Sequence, residues 1–164
     1  HQRPSHGGTL NIAGGVLNMH ESSIFSRLGL GTISLTGGRL EGVRTIELGK
    51  PFVQSGGAFV PENATVYDGY DLDGGEIEIE FGAHRRISVV GDINIASLGT
   101  SIMVTGYGPM RMGTYTVFST ISGGLTGEFE HIKGLSIYPG LIEVWYSSNA
   151  VRVRFNRDFV RRWC

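Results

Sequence analysis

Apolar and polar residues alternate along much of this chain with the two-residue period that β-strands produce. In the run Glu76 to Phe81, acidic residues alternate with Ile, Ile and Phe. The run Val151 to Phe155 repeats the pattern with arginine as the polar residue. No long segment free of glycine carries the i, i+3, i+4, i+7 apolar spacing of an amphipathic helix. The pattern predicts an all-β chain of many short strands.

A Gly-Gly-x-apolar unit recurs in the first half of the chain. After a copy at Gly7-Gly8, the copies that begin at Gly14, Gly37, Gly56 and Gly74 follow at spacings of 23, 19 and 18 residues. A repeat of about 20 residues is typical of a β-solenoid, in which each turn of the chain stacks on the one before. A β-sandwich with Gly-Gly turns is the alternative, although its turns would come about every 8–12 residues.

Glycine suits the corner of a solenoid because it accepts positive φ and lets two backbones approach closely. The sequence therefore predicts β-solenoid rungs over residues 7–81, preceded by a flexible N-terminus, 1–6. The predicted structural corner glycines are Gly14, Gly15, Gly37, Gly38, Gly56, Gly57, Gly74 and Gly75.

The pattern changes after about Phe81, where strands lengthen and aromatic residues accumulate. The open end of a solenoid exposes unpaired strand edges and needs a cap. We therefore expect residues 82–155 to form a hairpin-rich capping section of the same core, followed by a basic tail, 156–164. The predicted core of this cap consists of Tyr115, Phe118, Phe129, Trp145 and Phe155.

The order of these motifs over residues 37–155 resembles the C-terminal end of an autotransporter passenger and of related secreted proteins with autotransporter-associated β-strand repeats. The matching segments include Gly74–Ile79, Val89–Ile95, Gly113–Phe118, Leu125–Phe129 and Leu141–Tyr146. The resemblance implies a right-handed parallel β-helix that is exported and lies at a cell surface or outside the cell. It also implies a stem and folding-nucleus role without catalysis.

Composition narrows the classes of function further. The chain has 164 residues, enough for one domain, and 26 of them are glycine. With 14 basic and 15 acidic residues the net charge is −1, which argues against a general nucleic-acid partner. No apolar run approaches the roughly 18 residues of a transmembrane segment. The single cysteine, Cys164, is either free or bridged to another chain.

Two acidic groups are candidates for chemistry. Asp68, Asp71 and Asp73 could present oxygens to Ca²⁺, although their spacing is not that of an EF-hand and a solvated turn is the simpler interpretation. A polysaccharide-cleaving enzyme would need two carboxylates across a groove. Glu78 with Glu47, or Asp92 with Glu80, would supply such a pair if the rungs aligned, whereas an exposed strand face is the simpler interpretation. We expect no cofactor and no catalytic residue.

The end of the chain concentrates positive charge. Arginines on a final strand can protect an exposed sheet edge, or they can contact an acidic partner. The candidate partner contacts are Arg152, Arg154, Arg161, Arg162 and Cys164.

The sequence thus favours a non-catalytic, secreted or cell-surface structural or adhesive module that associates end to end with other protein chains. The alternative is a carbohydrate-binding or polysaccharide-cleaving β-helix that contacts a glycan through aromatic side chains. The tyrosines that would serve it are Tyr67, Tyr70 and Tyr107.

Overall fold

The computed structural model of the protein describes residues 9–25, 32–80, 86–105, 114–134 and 142–155. The side chains of Phe25 and Phe155 are not among the described groups. Several sequence predictions lie outside the described residues, namely the 1–6 and 156–164 segments, Gly7-Gly8, Tyr107, Arg161, Arg162 and Cys164.

Within the described residues every regular element is a β-strand, and the 15 strands form one curled, open sheet. The prediction of an all-β chain is therefore confirmed. The strands are β1 (Thr9–Ile12), β2 (Val16–Phe25), β3 (Thr32–Leu35), β4 (Arg39–Glu47), β5 (Phe52–Val60), β6 (Ala64–Tyr67), β7 (Tyr70–Glu80), β8 (Ile87–Val90), β9 (Ile93–Ile95), β10 (Thr100–Thr105), β11 (Thr114–Thr120), β12 (Leu125–Thr126), β13 (His131–Gly134), β14 (Ile142–Tyr146) and β15 (Ala150–Phe155).

Parallel pairing joins strands that lie one sequence repeat apart. Leu40 of β4 pairs with Phe59 of β5, which in turn pairs with Ile77 of β7. Strands β4, β5 and β7 are long enough for their two halves to pair with different neighbours, and both halves of β2 pair with β4. The chain consequently passes in turn through three sets of parallel strands, which we name A, B and C.

Set A contains β1, β3, the first halves of β5 and β7, β9 and β12. Set B contains the first halves of β2 and β4, the second halves of β5 and β7, β10 and β13. Set C contains the second halves of β2 and β4, β6, β8 and β11. Because the pairing keeps its register, equivalent inward side chains lie directly above one another.

An aromatic cluster fills the centre of the core, where the three sets meet. The ring of Tyr70 in set A lies 5.0 Å from that of Phe52 and 5.2 Å from that of Phe118 in set C. Phe59 in set B packs 5.6 Å from Phe52. Edge-to-face contacts at these distances stabilise a core beyond the burial of their area. Phe118, from the predicted cap, therefore shares one core with the repeats.

Among the described strands, antiparallel pairing occurs around β15. Strand β15 pairs antiparallel with β11 on one side and with β14 on the other, so β14 lies at the end of the strand order. The turn of this hairpin reaches across the last repeat, because the carbonyl of Ser148 accepts the Leu125 N–H at 2.9 Å. The hydroxyl of Tyr146 likewise accepts the Phe129 N–H at 3.0 Å. We call β14 and β15 the terminal hairpin.

The prediction that Trp145 belongs to the core of the cap is wrong. Trp145 is 51% exposed, because alternation along β14 turns Ile142, Val144 and Tyr146 toward the core and Trp145 outward. Phe118 and Phe129 are buried, and Tyr115 packs against the core as a partly buried side chain.

Candidate functional site

The repeated glycine pairs lie where the chain bends from set A into set B. The second glycine of each pair has positive φ, at 70° for Gly15, 67° for Gly38, 65° for Gly57 and 91° for Gly75. Side chains of L-residues rarely accept this conformation, so the backbone itself selects glycine here.

Close stacking selects glycine a second time. A Cβ on Gly38 would lie 2.6 Å from the carbonyl carbon of Gly14, and a Cβ on Gly57 would lie 2.7 Å from that of Gly37. The first glycines of the pairs that begin at Gly37 and Gly56 are equally confined, because a Cβ on Gly37 would overlap the carbonyl oxygen of Ala13 and one on Gly56 that of Thr36. Each corner therefore occupies the space that a side chain on the next corner would need.

Hydrogen bonds tie successive corners together. The Arg39 N–H donates to the carbonyl of Gly15 at 2.8 Å, and the Ala58 N–H donates to the carbonyl of Gly38 at 2.9 Å. Gly14 and Gly15 differ from the later pairs, because a Cβ on either would meet no atom of the described residues within 4 Å. Among the described corners, the first one therefore has a stacking neighbour on one side.

A buried glutamine supports the corner of the third repeat. The Gln54 amide, which is fully buried, donates to the carbonyls of Glu76 at 3.0 Å and Gly56 at 3.3 Å. Its oxygen accepts the hydroxyl of Tyr70 at 2.5 Å. Burial raises the pKa of Tyr70 well above its ordinary value, so this hydroxyl stays protonated as a donor. Sequence analysis missed Gln54, although its position two residues after Phe52 places it on the inward face.

The glycine series does not extend into Gly123-Gly124. After Gly75 the stacking position is taken by Gly99, whose carbonyl accepts the Gly75 N–H at 2.8 Å. Gly123 lies instead between sets C and A, where a Cβ would overlap the carbonyl of Gly91. A similar sequence unit thus serves two different corners.

Carboxylates on the outer face of set B are engaged by cations. Glu78 accepts from Arg39 at 2.9 Å, and Glu76 lies 3.3 Å from the Lys133 amine. The hydrogen bond that Arg39 donates to Glu78 raises the pKa of Arg39, because the pairing stabilises the charged guanidinium. The residue of β5 that pairs with Arg39 is the small Ala58, which pairs in turn with Glu76 of β7, two residues before Glu78.

The carboxylate pairs considered for polysaccharide cleavage occupy separate places. Glu78 belongs to set B and Glu47 to set C. Asp92 lies between sets C and A and accepts the Gly124 N–H at 2.9 Å, whereas Glu80 ends β7 in set B. The two members of each predicted pair therefore do not lie in the same strand set. Glu78 and Asp92 also bond to other residues, Arg39 and Gly124.

The three aspartates considered for Ca²⁺ are not gathered into a cage. Asp68 accepts the Gly49 N–H at 3.1 Å, and Asp71 accepts from the Asn94 amide at 2.9 Å. In the described part of the chain, no three His, Cys, Asp or Glu side chains form a group that could hold a metal ion. The two bonded aspartates stabilise bends and neighbouring strands.

The outer face of the terminal hairpin carries the candidate partner arginines that are described. Arg154 donates to Glu143 at 2.7 Å and stacks 4.5 Å from the ring centre of Trp145. The same hydrogen bond lowers the pKa of Glu143. Arg152 donates to the Ser147 hydroxyl at 3.2 Å. Because β15 lies between β11 and β14, the idea that its arginines protect a sheet edge is wrong.

The two described tyrosines that were candidates for glycan contact differ in their exposure. Tyr70 is buried in the aromatic cluster and cannot reach a ligand, so its assignment to a glycan surface is wrong. Tyr67 is 37% exposed at the end of β6.

No protein-family model, curated protein or solved structure matches the chain. Among the described residues there is no helix with the length and apolar character that a membrane crossing requires.

Proposed function

We propose that the chain is a non-catalytic structural or adhesive β-solenoid module, a right-handed parallel β-helix of the autotransporter-passenger type, which acts at a cell surface or outside the cell. Association through the ends of the stacked repeats belongs to the same proposal. The motif series over residues 37–155, given above, is the reason for placing it outside the cell.

The observation that carries this proposal is the stacking of the glycine corners. Successive corners exclude each other's side chains and are joined by backbone hydrogen bonds at 2.8 and 2.9 Å. Repeats that contact only their neighbours extend in one direction and resist bending, which suits a stem. Because successive glycine corners are in close backbone contact, one repeat has little freedom to slide over the next.

The outer charges support a structural role over cleavage of a polysaccharide. A glycosidase needs one carboxylate held as an acid and a second as a base or nucleophile. Glu76 and Glu78 are instead neutralised by Lys133 and Arg39, which is the arrangement of a surface that strengthens strand pairing.

A polysaccharide screen tests the non-catalytic half of the proposal. Purified chain is incubated with neutral and acidic polysaccharides, and the release of reducing ends is measured. We expect none. Release that Glu78→Gln abolishes and Glu128→Gln, at an exposed position in a loop, leaves intact would overturn the proposal in favour of an enzyme.

An accessibility experiment tests the location. An antibody raised against the purified chain is applied to intact and to permeabilised cells that produce it, and to their culture medium. We expect labelling of intact cells or recovery from the medium. Labelling that requires permeabilisation, with none in the medium, would contradict an exported module.

A further inference from the structure

The terminal hairpin turns a large aromatic side chain toward solvent. Trp145 is 51% exposed on the outer face of β14, where it lies opposite Arg152 of β15. Glu143 of the same face lies opposite Arg154. Side chains that are opposite each other in an antiparallel pair project from the same face of the sheet. We call these four residues the tryptophan–arginine surface.

Three of the four side chains hold one another in place. One carboxylate oxygen of Glu143, Oε2, accepts from Arg154 at 2.7 Å and from the indole N–H of Trp145 at 3.4 Å. The Arg154 guanidinium stacks 4.5 Å from the centre of the Trp145 ring. An indole that is fixed in this way loses little conformational freedom when a ligand covers it, so more of the contact energy contributes to affinity.

The tryptophan–arginine surface offers an apolar ring face beside hydrogen-bond donors. Among the described residues, Arg154 is the one cation that stacks on Trp145, so the other face of the indole is available. Arg152 donates to the Ser147 hydroxyl at 3.2 Å and has no carboxylate partner within the described ranges. With two arginines and one glutamate, the surface carries an excess of one positive charge.

A sugar ring that bears a carboxylate complements these features. The C–H groups on one face of a pyranose ring pack against an aromatic ring, and a carboxylate accepts two parallel hydrogen bonds from an arginine. A neutral sugar would leave the charge of Arg152 unmatched. A peptide of acidic residues would pair with the arginines, but it has no apolar ring face to cover the indole of Trp145. The combination therefore favours an acidic polysaccharide over both.

We propose that the tryptophan–arginine surface binds acidic polysaccharides, with a sugar ring on the free face of Trp145 and its carboxylate at Arg152. The proposal deepens the adhesive role stated above and rests on it. Binding here does not imply cleavage, because hydrolysis of a glycosidic bond needs two carboxyl groups and this surface has one, Glu143.

Titration calorimetry of the full chain tests the proposal. The probes are oligogalacturonate and oligomers of alginate, both built from carboxylate-bearing sugars. A neutral galactan oligomer of the same length and polyglutamate of the same charge are the comparison ligands. We expect at least one acidic oligosaccharide to bind with a dissociation constant about tenfold or more below those of the comparison ligands. Absence of binding to both acidic probes, or equal binding of polyglutamate, would overturn the proposal.

Substitutions locate the site. Trp145→Ala and Arg152→Gln should each raise the dissociation constant roughly tenfold or more. Tyr67→Ala removes another exposed aromatic side chain, and Arg44→Gln removes another exposed arginine, both from set C. These two variants should leave the dissociation constant unchanged. Equal losses in all four variants would contradict a site on the terminal hairpin.

Fluorescence keeps the test valid if Trp145→Ala folds poorly. In a Trp163→Phe variant the tryptophan emission comes from Trp145 alone, since the chain has 2 tryptophans. We expect the oligosaccharide that binds to shift this emission and to reduce its quenching by acrylamide. Binding that leaves both signals unchanged would overturn the placement of the sugar on Trp145.

The site and the proposed function fail separately. Absence of binding would overturn the site and leave the structural module standing. Release of reducing ends that Glu78→Gln abolishes would overturn the non-catalytic module, whereas the affinity that depends on Trp145 and Arg152 would be unaffected.

Discussion

Gln54 and Tyr70 show how single buried polar residues connect the corners to the core. Two carbonyls at the glycine corners and the carbonyl of Glu76 converge on the Gln54 amide, and the Tyr70 hydroxyl satisfies its oxygen. A buried amide is tolerated because its polar atoms are bonded. The same pair anchors the aromatic cluster, since the Tyr70 ring contacts both Phe52 and Phe118.

Replacing Gln54 should therefore lower the free energy of unfolding by more than the replacement of an exposed polar residue does. Gln54→Leu leaves the corner carbonyls and the Tyr70 hydroxyl without their partner, and we expect the free energy of unfolding to fall by about 1–3 kcal/mol. Urea denaturation measures the change. Asn94→Ala, which removes an exposed hydrogen bond in the same strand set, should change it by less than about 0.5 kcal/mol.

A double-mutant cycle checks the assigned partner. Tyr70→Phe should cost less in the Gln54→Leu background than in the native chain, with a coupling of at least about 0.5 kcal/mol. Additive effects would show that the hydroxyl and the amide act independently.

Tyr70 also predicts how stability depends on pH. Burial raises its pKa in the native state, so the native chain holds the phenol proton more tightly than the unfolded chain does. The contribution is complete below the unfolded pKa of about 10 and is lost as the pH rises toward the native value. Above pH 10 the native chain should lose stability faster than Tyr70→Phe, by at most about 1.4 kcal/mol per pH unit. Parallel curves for both proteins in alkaline denaturation would contradict this assignment.

At the scale of an element, two constraints act on the glycine corner: positive φ and crowding by the backbone of the neighbouring corner. Different glycines of this chain carry one constraint, both or neither, so their effects can be measured separately. Gly15 and Gly57 have similar positive φ, but a Cβ would meet neighbouring backbone at Gly57 and open space at Gly15. Neither Gly14 nor Gly56 has positive φ, but a Cβ would meet neighbouring backbone at Gly56 and open space at Gly14.

Alanine at these four positions should give graded losses of stability. We expect Gly14→Ala to be neutral or slightly stabilising, since it restricts the unfolded chain. Gly15→Ala should cost about 1–2 kcal/mol from backbone strain alone. Gly56→Ala should cost about 1–3 kcal/mol from crowding, and Gly57→Ala more than either because it combines both effects. Thermal unfolding at one fixed protein concentration ranks the variants. Equal losses at Gly15 and Gly57 would mean that stacking contributes nothing.

In the terminal hairpin, the sequence pattern predicts the strands but not their neighbours. Alternation identified β15 and β14, but it could not say which face of β14 turns inward. The accumulation of aromatic residues predicts Trp145 in the cap core, whereas the structure turns it outward beside Arg154. The arginines of β15 were assigned to an edge, yet β14 pairs with that strand on its far side. Both errors concern neighbours, which a period of two does not specify.

At the scale of the whole molecule, each strand set is held by contacts between adjacent repeats. Strands in the middle repeats have partners on both sides, whereas β1 and β2 have a described partner on one side. The fully buried residues concentrate in the middle, around Phe52, Phe59 and Tyr70. Local stability should therefore decrease from the middle repeats toward the first.

Native-state hydrogen exchange measures this gradient. Amides of β5 and β7 should exchange slowest and those of β1 fastest. The reason is that opening β1 breaks one set of pairings, whereas opening β5 breaks two. Uniform protection across β1, β5 and β7 would show that the chain opens as a single unit.

The sequence by itself determined the β-strand content and the positions of most strands, because alternation and the absence of helical spacing are local properties. The glycine spacing also indicated a repeat, since the positive φ at Gly38 and Gly57 excludes most other residues. Tertiary structure decided which repeats are in register, that Gly123 belongs to a different corner, and that Gln54 and Tyr70 bond in the core. It also decided which of the described strands pair with each other. These features depend on contacts between residues about 20 positions apart or more, and such contacts leave no signal in the local pattern of a single chain.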